Sequence, residues 1–233
     1  MRGLEGVRRI STGCRALDDL MGGGYPVGRL SLIYGEASSG KTTLALMASA
    51  ELARRRLKVL YIDSDGCFSC ERFLQLAGDP GSLDTVFVSS PSDFWDQNGL
   101  ILNLGAFLMP GAGLVVVDSI TALYRLALGS GGNAVALNKG LSKQLAYLKG
   151  LSRERGLPIL ITSQVRWSGG DSAEPVAKRI LEYWSDAIIG LRRSQGGLRE
   201  VSILRNPGSK GLGRGLFSIE DGGFAALRGP IPF

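Results

Sequence analysis

The segment Gly35-Glu36-Ala37-Ser38-Ser39-Gly40-Lys41-Thr42, continued by Thr43, fits the pattern G-x-x-x-x-G-K-[ST]. This loop constrains the fold because it works only between a β-strand and an α-helix. Both flanks are legible. Residues 29–34 start as a polar–apolar alternation and read as a strand. Residues 41–56 are apolar-periodic and free of Gly and Pro, so they read as a helix. Glycine lets backbone N–H groups turn inward around phosphate oxygens. The helix beginning at Lys41 aims the positive end of its dipole at the same place. The pattern therefore sets Lys41 on the β- and γ-phosphates of a nucleotide and the Thr42 hydroxyl on Mg²⁺, with residues 35–43 as the cradle.

The rest of the chain repeats that alternation. Strands are expected at 58–63, 85–89, 114–118 and 159–163. Helices are expected at 71–77, at 93–109 with Ser92 as N-cap, and at 133–154. Alternating strands and helices imply a mostly parallel sheet with right-handed crossovers and helices on both faces. Past Trp184 the pattern changes. Residues 187–192 and 200–204 flank the turn Ser194-Gln195-Gly196-Gly197, and 216–220 run into Asp221-Gly222-Gly223. An α/β core ending in an antiparallel β-ribbon is expected. At 233 residues with 44% hydrophobic content the chain suffices for one domain and a sizeable core. No charge falls from Gln97 to Val117, a membrane-span length. Asn98, Asn103 and Pro110-Gly111 interrupt it, so it reads as a buried helix feeding a buried strand. With no secretory signal legible, a cytoplasmic protein is expected.

The chain contains no His. That removes Ser-His-Asp and Cys-His catalysis, His-ligated zinc and a histidine pH switch. Acids and amides are left to handle metal and water. Asp118 ends the apolar run Leu114-Val115-Val116-Val117 and belongs at the carboxyl edge of the sheet, where ligands of open α/β sheets bind. It reads as the acid that holds Mg²⁺ or its water shell. Asp65, just past the second strand, is the candidate to orient or polarise water, and Asp63 is the alternative as its supporting partner. Gln164, at the end of Ile161-Thr162-Ser163, is the candidate to sense the γ-phosphate through its amide.

Other features invite discounting. Cys67-Phe68-Ser69-Cys70 lacks a second ligand pair for zinc, and two reduced thiols are expected. Arg54-Arg55-Arg56 falls at a helix C-terminus, where cations suit the dipole. Phe94 and Trp95 are expected in the core. The net charge of +6 permits a polyanionic partner without demanding one. Arg192, Arg193, Arg199 and Arg214 are secondary nucleic-acid candidates, which solvated strand faces explain equally well.

The residues also resemble a family. Ser11-Thr12-Gly13, Gly22-Gly23-Gly24, Tyr34-Gly35-Glu36, Tyr61-Ile62-Asp63-Ser64-Asp65-Gly66 with Glu71-Arg72-Phe73, the run from Val117 to Arg125, and Ile161 to Val165 follow the order of the RecA/RadA recombinase core. Within that family the chain is most similar to the short archaeal RadA paralogues. Residues 1–10 are then a short N-terminal segment and 11–233 the RecA-like core, with no accessory DNA-binding domain expected. The resemblance implies an ATP- and Mg²⁺-binding core that acts on DNA in homologous recombination and repair, alongside a RadA recombinase. It implies Asp65 as the catalytic acid, aided by Lys41 and Gln164, and Arg72 against adenine. It matches the stretches after Arg125 and after Gln164 to the family's two DNA-binding loops. Two alternatives stand beside it. One is a KaiC-like ATPase of signalling or motility without DNA. The other is a mediator in which nucleotide is structural.

The departures from the family shape the functional expectation. Residues 126–133 carry no Lys or Arg, although phosphate contacts supply much of DNA affinity. Single-stranded DNA is therefore assigned to the second stretch, through Arg166, Lys178 and Arg179, with Trp167 for base stacking. A Phe-x-x-Ala polymerisation segment is missing before the core, so a long self-filament is not expected. The catalytic acid is Asp65 where the family usually has Glu, one methylene longer. A misplacement of ~1 Å costs as much as ~100-fold in rate. ATP is thus expected to bind well and turn over slowly, and a DNA-stimulated turnover as fast as a recombinase's would refute this.

Overall fold

The computed structural model describes residues 7–167, 173–208 and 213–227. A short strand β1 (Arg9–Ile10) pairs antiparallel with β2 (Tyr25–Pro26) across helix α1 (Arg15–Met21). The nucleotide-loop unit follows as β3 (Leu30–Gly35) and α2 (Lys41–Arg54). Next come β4 (Lys58–Asp63), α3 (Cys70–Ala77), β5 (Val86–Ser89), α4 (Phe94–Leu102), α5 (Leu104–Phe107) and β6 (Ala112–Asp118). Helices α6 (Ala122–Gly129) and α7 (Ala134–Arg155) lead to β7 (Ile159–Trp167), β8 (Ala173–Pro175) and α8 (Lys178–Trp184). The chain ends in β9 (Ala187–Arg193), β10 (Arg199–Arg205), β11 (Arg214–Glu220) and β12 (Gly223–Ala226).

The period of two along each central strand decides the layers. Ile33, Tyr61, Val116 and Leu160 point into a core shared with α2 and α3. Leu32, Ile62, Val117 and Ile161 point into a second core beneath α4, α6, α7 and α8. Strands apolar on both faces are what a parallel sheet covered on both sides requires. The strand order is β12-β11-β10-β9-β3-β7-β6-β4-β5, with β8 pairing β7. The C-terminal ribbon is continuous with the core. Strand β9 pairs parallel with β3, and β10, β11 and β12 then add antiparallel.

Several local expectations change. The single helix at 93–109 is two helices, broken at Asn103, and its cap is Asp93 rather than Ser92. The Asp93 carboxylate accepts from the backbone N–H of Trp95 and Asp96. Phe94 is buried as expected, whereas Trp95 is 54% exposed. The stretch after Arg125 is helical as far as Gly129, leaving 130–133 as connection and the Asn133 side chain as the cap of α7. Lys178 and Arg179 open helix α8 instead of lying in a loop. No helix among the described residues is long and apolar enough to cross a membrane.

Ala177 caps α8 with φ +54°, in the left-handed region. That conformation costs a residue bearing a Cβ roughly 1–2 kcal/mol, while glycine brings back about 0.5–1 kcal/mol of unfolded-chain entropy. Ala177→Gly is expected to stabilise the protein by up to about 1 kcal/mol in urea denaturation. Ala177→Val, β-branched at the same φ, is expected to destabilise it.

Candidate nucleotide site

Strand register brings the site together. Gly35 lies opposite Gln164 on one side and Leu191 on the other, and Asp63 lies opposite Asp118. The β6–β7 pairing then sets Asp118 beside Thr162. Four neighbouring parallel strands thus deliver Gly35, Gln164, Asp118 and Asp63 to one carboxyl edge. This is the crevice where an open sheet reverses its strand order.

The loop itself is tightly determined. A Cβ on Gly35 would stand 2.4 Å from the Leu191 carbonyl oxygen and 2.6 Å from Ser39 Oγ. Gly40 has φ +101° and Ser38 φ +59°, which turn the backbone into a cup. Lys41 is 7% exposed, and its ammonium donates to the carbonyls of Gly35 (3.1 Å) and Glu36 (2.7 Å). Burial pushes its pKa below the ordinary lysine value, and the nearby Asp118 and Asp65 oppose that shift. The cup holds a cation on neutral acceptors, which an anionic phosphate would replace with stronger, charge-assisted partners. Ser38, Gly40, Lys41, Thr42, Thr43 and Ile219 line a recess of about 170 Å³ at the start of α2. Glycine cradle, lysine, hydroxyl and buried acid form a donor set that fits a nucleotide with Mg²⁺.

The C-terminal hairpin lies on this loop. A Cβ on Gly40 would meet Phe224 at 2.7 Å and Ile219 at 2.8 Å, and the Phe224 N–H points at Met47 Sδ, 3.2 Å away. Arg72, expected against adenine, reaches the C-terminal hairpin. Its guanidinium donates to the carbonyls of Glu220 and Asp221, each at 2.8 Å, and to the Gln75 side chain. Arg72 therefore holds the β11–β12 turn over the cradle. Arg205 and Asn206, at the end of β10, are also tied within the chain. Arg205 donates to the carbonyls of Glu182 and Ser185, and the buried Asn206 amide donates to Met21 and accepts from Arg9.

The acids divide their roles. Asp118 is 1% exposed, and both of its oxygens accept hydroxyl donors, from Tyr61 (2.7 Å) and from Thr162. Asp63 is a structural residue, since its two oxygens accept the backbone N–H groups of Cys67 and Phe68 at 3.0 Å and shape the loop. Asp65 projects from that loop, with its N–H directed at the Asp118 carbonyl. Burial pushes its carboxyl up, the Ser119 side chain lowers it again, and Asp118 adds to the rise. The Gln164 side-chain oxygen accepts from Arg125 of α6. This partner leaves the amide N–H₂ as donor, the polarity a γ-phosphate sensor needs. The sequence singled out neither Tyr61 nor this use of Arg125, because nothing local marks a contact across strands.

The nucleic-acid candidates are partly brought together. Lys178 and Arg179 line a cavity of about 790 Å³ with Tyr124 and Leu128 of α6, so the two stretches assigned to DNA share one surface. Arg166 and Trp167 end β7, and their side chains lie outside the described residues. Arg192 and Arg214 face a separate cavity beside Tyr34. Arg54, Arg55 and Arg56 pair with Glu51 and Asp79 and with the carbonyls of Leu76 and Gly81, in keeping with a structural role. Cys14, Cys67 and Cys70 are free thiols.

A glycine cradle on a doubly covered parallel sheet, with a buried acid two strands away, defines a P-loop nucleotide-binding core of the RecA type. Residues 5–226 match the Rad51 family model, and the chain belongs to that family. It is 38% identical to the DNA repair and recombination protein RadB of Methanoculleus marisnigri, over 92% of this chain and 96% of the relative. It is 37% identical to the RadB of Thermococcus kodakarensis, over 84% of this chain and 90% of the relative. A crystal structure of the RadB recombinase superposes with a TM-score of 0.82 at 34% identity, covering 94% of this chain and all of that one.

Replacing Arg72 by Ala removes both hairpin carbonyl contacts. Arg72→Ala is expected to open β11–β12 to limited proteolysis and to lower stability by about 1 kcal/mol in urea. Arg72→Lys, which lacks the planar fork, is expected to restore only part of the protection.

Proposed function

We propose that this protein is an ATP-binding RecA/RadA-like auxiliary of homologous recombination and DNA repair, which binds single-stranded DNA and hydrolyses ATP slowly in the cytoplasm. The observation that carries the reading is the cradle of Gly35 to Thr43 facing the buried Asp118, in a chain matched to the Rad51 family over nearly its whole length. Residues 35–43 would hold the phosphates. Thr42 and Asp118 would hold Mg²⁺, which supplies charge neutralisation on the phosphate oxygens. Lys41 keeps a cation at the loop, and Gln164 offers its amide to the γ-phosphate. Asp65, shorter than the family's Glu, orients water less well, and the turnover is correspondingly slow. Arg72 supports the base side through the hairpin it holds.

Lys178 and Arg179, with Arg166 and Trp167 from the end of β7, form the DNA surface of this reading. A protein partner of RadA type is supported by a different feature. Strand β5 is an exposed sheet edge with Phe87 and Val88 about 40% exposed. Beside it, a cavity of about 520 Å³ is lined by Leu60, Ile62, Leu100, Leu104 and Phe107. An edge unpaired among the described residues, next to an apolar pocket, suits an added strand carrying an apolar anchor. The KaiC-like alternative draws no support from the relatives, which are named for DNA repair and recombination.

Fluorescence anisotropy on single- and double-stranded DNA, with and without ATP and across salt, tests the reading, with ATPase measured in parallel. Lys41→Ala is expected to lose ATP binding. The triple variant Arg166→Ala, Lys178→Ala, Arg179→Ala is expected to flatten the log K against log salt slope by about 2, since each lost single-strand phosphate contact is worth about 0.7. A triple variant that binds DNA like wild type would remove the assigned surface.

A further inference from the structure

The carboxylate of Asp118 does not set its own direction. It is almost wholly buried at the end of β6, between hydroxyls from the two flanking strands. Tyr61 of β4 donates to Oδ2 at 2.7 Å and Thr162 of β7 donates to Oδ1. Each carboxylate oxygen has two lone-pair sites, so each retains one for another partner. Tyr61 also reaches further. Its ring meets Phe68 edge-on, with centroids 5.0 Å apart. The backbone N–H of Phe68 is held by Asp63 in the loop that carries Asp65. One buried side chain thus touches the metal acid through its hydroxyl and the loop of the water-handling acid through its ring.

From this geometry we infer that Tyr61 is a positioning residue for Mg²⁺: its hydroxyl, with that of Thr162, holds the Asp118 carboxylate in the orientation that serves the ion, and its ring couples that orientation to the Asp65 loop. The inference rests on the nucleotide reading of the site and adds to it the residues that aim its acid. Outer partners of this kind commonly change metal affinity 10- to 100-fold when removed. A tyrosine needed only for packing would be replaced without metal consequence by phenylalanine, which keeps the ring against Phe68.

The test measures binding of a fluorescent ATP analogue as Mg²⁺ is titrated, and again in EDTA, with urea denaturation run beside it. Tyr61→Phe is expected to fold and to bind nucleotide in EDTA as wild type does. It is expected to need about 10-fold more Mg²⁺ to reach half of the metal-dependent gain in affinity. Thr162→Val is expected to shift the same midpoint in the same direction, and Thr162→Ser, which keeps the hydroxyl, to restore it. These two variants carry the test if Tyr61→Phe is unstable. A folded Tyr61→Phe or Thr162→Val protein with an unchanged Mg²⁺ midpoint overturns the inference and leaves the nucleotide reading standing. A wild-type protein whose nucleotide affinity ignores Mg²⁺ overturns the inference together with the metal assignment of Thr42 and Asp118, and one that binds no nucleotide overturns the nucleotide reading as well.

Discussion

Parallel pairing of β3 with β7 and of β6 with β4 places the carboxyl ends of four strands side by side, and the site depends on that alignment. A shift of one residue in any of these ladders would turn the strand's side chains to the opposite face. Asp118 would then leave Tyr61 and Thr162, and Gly35 would bring a different residue against Leu191. The register is held because both faces are buried, with Tyr61 and Val116 in one core and Ile62 and Val117 in the other. The cost of slippage is the exposure of apolar side chains on both sides at once. The chemistry at the edge is therefore secured by hydrophobic alternation several residues back along each strand.

On that edge, the buried charged groups Lys41, Asp63 and Asp118 all have partners. Asp118 is enclosed with two hydroxyl donors, Lys41 with two carbonyls and Asp63 with two backbone N–H groups. Each pairing offsets a desolvation cost that an unpaired charge would bear in full. The consequence is preorganisation. Asp118, the Lys41 cation and the Asp65 loop are each held by contacts within the chain, and Arg72 ties the hairpin β11–β12 over the loop. Through β9 this hairpin belongs to the main sheet, so the segment covering the cradle comes from the same chain.

The parts of the protein legible in the sequence were those encoded locally. The nucleotide loop between strand and helix, the apolar strand ending in Asp118, and the turn-rich C-terminal ribbon all announce themselves within a few residues. Helix α6 was hidden because Leu126 to Gly129 resemble a loop in the family pattern, although nothing breaks the helix before Gly129. Nothing local marked Ala177 as special, and only its φ shows a left-handed cap on a residue that does not suit it. Trp95 was expected in the core by composition, whereas its neighbour Phe94 took the buried position on α4.

By itself the sequence determined the fold class and singled out the glycine loop and Asp118 as candidates, because strand period, helix period and loop glycines act over short distances. The tertiary structure decided how those groups are aimed. Tyr61 meets Asp118 across 57 residues, and Arg72 meets Glu220 across 148. Contacts of that separation follow from which strands become neighbours. Neighbourhood is settled by burial over the whole sheet, which no local stretch of sequence encodes.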